Sequence, residues 1–237
     1  MKGAVIGGTG CQSFLPPGVR ERVVQSRYGE VLLYEDDDIV YLLRHRIGHT
    51  VPPHLINYRA HIDALRSAGV QRVVAIYAVG SITQALMPGT AGVLGQFIDF
   101  TSNRENTFYS ESGQSFRHTP MDEPYSRALS RALIEQGARE GIALARDLTY
   151  VCTNGPRLET PAEIAMYRTF GCDVVGMTAG SETSLACEAG IEFAGIAYSI
   201  NWAAGVGGSQ VSFIQDDMIE DLTGNLTVLA RNTLLSI

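Results

Sequence analysis

Short apolar runs, each broken off by glycine or asparagine, set the rhythm of the chain. Ala4-Val5-Ile6 runs directly into Gly7-Gly8-Thr9-Gly10, which predicts a buried strand feeding a tight turn. Val31 to Tyr34 and Ile39 to Leu43 flank Asp36-Asp37-Asp38, the pattern of two strands joined by a solvated bend. From Asn57 to Ala68 the residues Ile62, Leu65 and Ala68 share one helical face, and Gly69 stops that helix before the near-continuous apolar run Arg72 to Val79. Further strands are predicted at Gly92 to Phe100, Tyr150 to Thr153, Val174-Val175 and Phe193 to Ile200. Helices are predicted at Pro124 to Gly137, Pro161 to Phe170, Glu182 to Ala189 and Met218 to Leu235, where Leu222, Leu226 and Leu229 recur at helical spacing.

This alternation predicts an α/β fold with a central mixed β-sheet flanked by helices. No linker interrupts it, so residues 1–237 are expected to form a single domain; there is no internal repeat and no low-complexity tract. Ligands of such sheets gather at the carboxyl ends of strands. Four clusters follow predicted strands in this way: Gly7 to Gly10, Arg44 to His49, Ala78 to Ser81 and Met177 to Glu182.

Composition removes several classes of function. Lys and Arg total 18 against 25 Asp and Glu, a net charge of −7, which argues against a sequence-independent grip on nucleic acid. No apolar run is long enough to span a bilayer and the apolar start is too short for a signal peptide, so no membrane association and a cytoplasmic location are expected. Cys11, Cys152, Cys172 and Cys187 are widely spread without a C-x-x-C pair and are expected to be small core residues. His45, His49, His54, His61 and His118 lack metal-ligand spacing, so neither a metal nor a cofactor is expected. A G-x-S-x-G elbow is also absent.

The clusters themselves suggest anion chemistry. Gly7 to Gly10 can offer backbone N–H groups and the Thr9 hydroxyl to an anion, although a tight turn explains these glycines equally well. A dinucleotide fingerprint would need glycine where Ser13 stands. Arg44, His45, Arg46 and His49 concentrate cationic and hydrogen-bonding groups on an acidic chain, and a guanidinium can grip phosphate through two parallel hydrogen bonds. A solvated loop pairing with Asp36 to Asp38 is the alternative.

The runs G-G-T-G at 7–10, R-H at 44–45, H-T at 49–50, G-P-R-L-E-T-P-A-E at 155–163, Y-R-T-F-G-C-D-V-V-G-M-T at 167–178 and L-A-C-E-A-G-I at 185–191 resemble the purine nucleoside phosphorylase and methylthioadenosine phosphorylase family. The resemblance spans nearly the whole chain and weakens after Asn201. It implies a pentosyltransferase that splits a purine nucleoside with inorganic phosphate as co-substrate, built as a homotrimer. Carried over by position, phosphate would meet Thr9, Arg44, His45, Ala78 and Thr178, and Met177 would lie along the ribose. Tyr77 stands where relatives usually carry Thr or Asn, which leaves only its backbone for phosphate.

The resemblance also frames the choice of base. Methylthioadenosine enzymes of the family carry Asp at the positions of Asn201 and Ala203 and Ser at that of Glu159. A 6-oxopurine presents acceptors at N7 and O6 and a donor at N1, so the amide of Asn201 would match the first pair and the carboxylate of Glu159 the third. Asn201 and Glu159 are therefore the expected catalytic pair, with Trp202 and Ala203 beside them. Around the sugar's 5′ end, Val211 to Gln215 offers apolar residues, Ile214 among them, which suits a thioether. His118 matches a histidine that reaches a neighbouring subunit's site. The expected reaction is phosphorolysis of S-methyl-5′-thioinosine to hypoxanthine and 5-methylthioribose 1-phosphate; a general inosine and guanosine phosphorylase is the alternative, and methylthioadenosine phosphorolysis a weaker one.

Overall fold

Alternate residues of the central strands enter opposite cores, and this period-two sorting organises the molecule. Ala4, Ile6, Val73 and Ala75 pack into one apolar cluster, while Val5, Val74 and Ile76 pack into another. They belong to β1 (Lys2–Gly7) and β5 (Val70–Ser81), neighbours in a mixed sheet. The computed structural model describes residues 1–10, 15–208 and 210–237. It is a single α/β domain with a mixed sheet, the class expected from the alternation of elements.

Beyond β1 the sheet runs through β4 (Ile39–Leu43), β3 (Gly29–Glu35) and β2 (Arg20–Ser26), with antiparallel pairing at β2–β3 and β3–β4. On the other side β5 is followed by β8 (Val174–Gly176), β7 (Leu144–Cys152), β6 (Ala91–Asp99) and β9 (Glu192–Trp202). The last strand pairs antiparallel with β6 and parallel with β5, so this half of the sheet closes on itself. One face carries α1 (Tyr58–Ser67) and α4 (Ala179–Glu188), through Ile62, Leu65 and Leu185. The other carries α2 (Arg127–Glu140) and α5 (Asp216–Ser236), through Leu129, Leu133, Leu226 and Leu229.

Local signals explain where the helices start. Asn57 caps α1 by accepting from the Ala60 N–H, and Ser126 caps α2 by accepting from the Leu129 N–H. Helix α3 (Pro161–Thr169) opens with a capping box in which the Thr160 hydroxyl and the Glu163 carboxylate accept from each other's backbone N–H. That box anchors the residue directly after Glu159. Helix α4 begins at Ala179, earlier than the sequence suggests, because Ala179, Gly180 and Ser181 are buried against the sheet rather than looped into solvent. Cys152 and Cys172 are buried and Cys187 is half-buried, all as free thiols; Cys11 and Ser13 lie outside the described residues.

Candidate active site

The sheet's geometry gathers one cavity of about 270 Å³ from residues remote in sequence. Thr9 follows β1, Arg44, His45 and His49 follow β4, Ala78 lies in β5, Met177 and Thr178 follow β8, and Asn201 lies in β9. Glu159 enters from the loop before α3, and Ala203 lies just beyond β9.

Arg44 is the most constrained of these side chains. It is 2% exposed, and its Nε and Nη2 donate to the two oxygens of Glu182 at 2.6 and 3.0 Å, while Nη1 donates to the Ile76 carbonyl at 3.1 Å. Its charge is therefore compensated by a carboxylate 138 residues away. The hairpin acids are engaged elsewhere, Asp36 with Arg231 and Asp37 with Arg20. A guanidinium carries five N–H groups, so one on Nη1 and one on Nη2 remain for a ligand. Gly8 is required by this arrangement: a Cβ there would stand 2.3 Å from Arg44 Nη1.

The neighbouring groups are neutral donors and acceptors. His45 Nδ1 lies 2.7 Å from the Val51 carbonyl, and its ring stacks on His49 at 4.2 Å between centroids. A carbonyl only accepts, so Nδ1 carries the proton and the neutral ring keeps a lone pair on Nε2. Burial first, then the nearby Arg44 charge, pushes the His45 pKa down from 6.5 to about 4. Thr178 stands at the N-cap of α4 without a capping bond from its hydroxyl, and its N–H donates to the Tyr150 hydroxyl at 3.2 Å. The Tyr198 hydroxyl donates to the Thr9 carbonyl at 2.5 Å.

The His45 environment carries a pH prediction. Between pH 6.5 and 4 the unfolded chain binds a proton at this ring and the folded chain does not, so acid favours unfolding in that window. Stability from this group is fully present above pH 6.5 and declines by about 3 kcal/mol on reaching pH 4. Urea titrations across that range are expected to show the decline, and His45→Asn to lessen it, the remainder coming largely from His61, whose burial lowers its pKa to about 3.

The other half of the cavity is shaped by Glu159, Met177 and Asn201. Glu159 Oε1 accepts from the Thr153 hydroxyl at 2.7 Å, which leaves Oε2 for a ligand. Asn201 is 5% exposed, and its Nδ2 donates to the Trp202 carbonyl at 2.8 Å with one N–H left over. Gly155 has φ +63°, and a Cβ on it would come within 2.3 Å of Met177 Sδ, so the thioether packs directly on that backbone. Leu158, Val211 and Phe213 supply apolar wall.

Four expected site residues do not line this cavity. Tyr77 faces the core because it alternates with Ala78 along β5; its hydroxyl donates to Glu182 Oε2 at 2.8 Å and its ring centroid lies 4.6 Å from the Arg44 guanidinium carbon. Trp202 packs on Gly207, where a Cβ would meet it at 2.5 Å. Ile214 turns toward the core of α5, and its neighbour Phe213, bridged to Asn201, takes the cavity side, as alternation along an extended segment requires. His118 lies in a separate surface cavity, edge-on to Phe116 at 5.5 Å. Sequence reasoning missed Thr153, because a threonine at a strand end has no local signature.

Residues 15–233 match a family model described as the phosphorylase superfamily. The chain belongs to that superfamily. It is 44% identical over 232 residues to a probable 6-oxopurine nucleoside phosphorylase of Dictyoglomus turgidum, covering 95% of this chain and 87% of the relative. It is also 41% identical over 214 residues to a probable S-methyl-5′-thioinosine phosphorylase of Xanthomonas campestris pv. campestris, covering 87% and 86%. Among solved structures it resembles a doubly substituted adenosine/methylthioadenosine phosphorylase of Schistosoma mansoni in complex with adenine, with a TM-score of 0.87 and 29% identity over 100% of this chain and 96% of that one. The chain is thus a pentosyltransferase of the purine nucleoside phosphorylase type. Among the described residues, no group of three or more His, Cys, Asp or Glu could hold a metal ion, and no helix of this phosphorylase is long and apolar enough to cross a membrane.

Proposed function

We propose that this phosphorylase cleaves S-methyl-5′-thioinosine with inorganic phosphate, releasing hypoxanthine and 5-methylthioribose 1-phosphate. The observation that carries the reading is the convergence of Asn201 and Glu159 on one cavity whose remaining wall includes Leu158, Val211 and Phe213. An amide donor and a carboxylate acceptor match the O6/N7 and N1 edge of a 6-oxopurine, and an apolar wall accommodates a methylthio group better than a hydroxyl. Relatives named for thioinosine and for 6-oxopurine nucleosides both support a keto base.

In this reading phosphate lies against Thr9, Arg44, His45, Ala78 and Thr178, under the ribose that Met177 flanks. As the glycosidic bond lengthens, charge builds on the departing base and Asn201 stabilises it at N7 and O6, while Glu159 holds N1. The bound phosphate stabilises the cationic sugar and then attacks its anomeric carbon, with no cofactor and no covalent enzyme intermediate. The enzyme works in the cytoplasm as a homotrimer, in which His118 and the exposed Phe116 beside it reach the site of a neighbouring copy.

A general inosine and guanosine phosphorylase is the second reading, favoured by the name of the Dictyoglomus relative. Ultraviolet assays of methylthioinosine and inosine, each with and without phosphate, separate the two. The proposal expects phosphate-dependent release of hypoxanthine, with kcat/KM at least about ten-fold higher for methylthioinosine, the scale set by one apolar group in a fitted pocket. Equal or inverted values favour the general enzyme.

A further inference from the structure

Arg104 lies outside the cavity, in the loop between β6 and α2, yet it binds the backbone of two segments that form the cavity wall. Its Nη1 donates to the Met177 carbonyl at 2.7 Å, and its Nη2 to the carbonyls of Asn154 and Thr153 at 2.9 and 3.3 Å. Weaker contacts from Nη1 reach the Tyr58 hydroxyl at 3.3 Å and the Ser181 hydroxyl at 3.4 Å. These carbonyls stand just past the last residues of β7 and β8, where the strand ladder has ended. An unpaired buried carbonyl is costly, and a planar guanidinium can satisfy several at once.

Its partners distinguish Arg104 from a structural ion pair. Among the described residues it forms no ion pair within 4.0 Å; its hydrogen bonds all go to neutral oxygens, and its guanidinium carbon lies 5.3 Å from the Tyr58 ring centroid. The rest of its loop is tied down independently: Glu105 pairs with Arg59, Asn106 donates to Asp99, and Glu188 accepts from Thr107 and Phe108. Arg104 is thus the loop's link to the reaction site rather than its own anchor.

We propose that Arg104 is a positioning residue for the nucleoside half of the site. Through Thr153, whose carbonyl meets Arg104 and whose hydroxyl meets Glu159, it fixes the carboxylate that faces the base. Through the Met177 carbonyl it fixes the thioether that packs on Gly155 and flanks the ribose. The phosphate half is held by other means, with Arg44 on Glu182, His45 on Val51 and the Thr178 backbone on Tyr150. The inference rests on the assignment of nucleoside and phosphate to these two halves.

Steady-state kinetics of the full-length enzyme and of Arg104→Gln and Arg104→Lys, with methylthioinosine and phosphate varied in turn, test it. Loosening two wall segments by a fraction of an ångström to one ångström is expected to lower kcat/KM for the nucleoside by about 30- to 100-fold in Arg104→Gln. The KM for phosphate is expected to stay within about three-fold, and Arg104→Lys, which keeps the charge and can reach one or two carbonyls, to recover part of the loss. Equal deterioration of both KM values, or none in either variant, overturns the positioning role. Should Arg104→Gln not fold, the same comparison in Arg104→Lys decides, since even a partial loss must fall on the nucleoside. Absence of phosphorolysis in the unsubstituted enzyme instead overturns the reading of the site, an outcome distinct from the other two.

Discussion

Glu182→Ala is expected to destabilise the fold by about 3–5 kcal/mol, because it strands the buried Arg44 guanidinium without its carboxylate. Glu182 is fully buried and accepts from Arg44 twice and from the Tyr77 hydroxyl once, so no solvent can take over its role. The same change frees the guanidinium to swing away from the proposed phosphate position, and the KM for phosphate is expected to rise more than about ten-fold. Tyr77→Phe removes one of the three hydrogen bonds to the carboxylate and leaves the ion pair intact, so its cost is expected nearer about 1.5–3 kcal/mol. Urea denaturation of the two variants, read alongside phosphate saturation curves, checks both magnitudes and their order.

Asn201→Asp is the second large effect. The substitution keeps size and shape but exchanges an amide donor for a group that, when ionised, only accepts hydrogen bonds. In the proposed site, where this position faces the O6 and N7 acceptors of a keto purine, an ionised carboxylate would be repelled where the amide was to stabilise growing negative charge. Loss of one such donor to a developing anion costs about 2.7–4 kcal/mol, or 10²- to 10³-fold in turnover. When protonated, the same carboxyl can donate to N7 and accept from a 6-amino group, so the variant is expected to shift in favour of methylthioadenosine.

Much of the fold was legible because its buried strands are nearly pure apolar runs. β1, β4, β5 and β9 all announce themselves in this way, and their carboxyl ends hold the cavity. β2 was not, since of Arg20–Ser26 only Val24 is buried and the strand is held by pairing with β3 rather than by an apolar face. The first half of β7 was also hidden: Leu144 to Asp147 are half-buried or exposed, and Asp147 takes a φ of +55° where the register with β6 shifts.

The site was legible where residues sit at strand ends and illegible where they act across the fold. Arg44 and Thr178 follow apolar strands and so could be singled out, whereas Asn201, at the end of its strand, was marked only by the family resemblance. No local pattern pairs Arg44 with Glu182 or lays Arg104 across Thr153 and Met177, because those contacts exist only once distant strands are adjacent. Ile214 and Phe213 show a finer limit. Composition indicated an apolar wall there, but which neighbour faces the cavity depends on the bridge between Asn201 and Phe213.

The most direct test is the base preference of the wild-type enzyme and of Asn201→Asp, measured as the ratio of kcat/KM for methylthioinosine to that for methylthioadenosine in saturating phosphate. A site whose buried polar groups match only one base discriminates by about 10⁴, so the wild-type ratio is expected to exceed about 10² and to fall by at least ten-fold in the variant. A wild-type ratio near one, or a ratio that Asn201→Asp leaves unchanged, would contradict the assignment of this amide and its partner Glu159 to a 6-oxopurine.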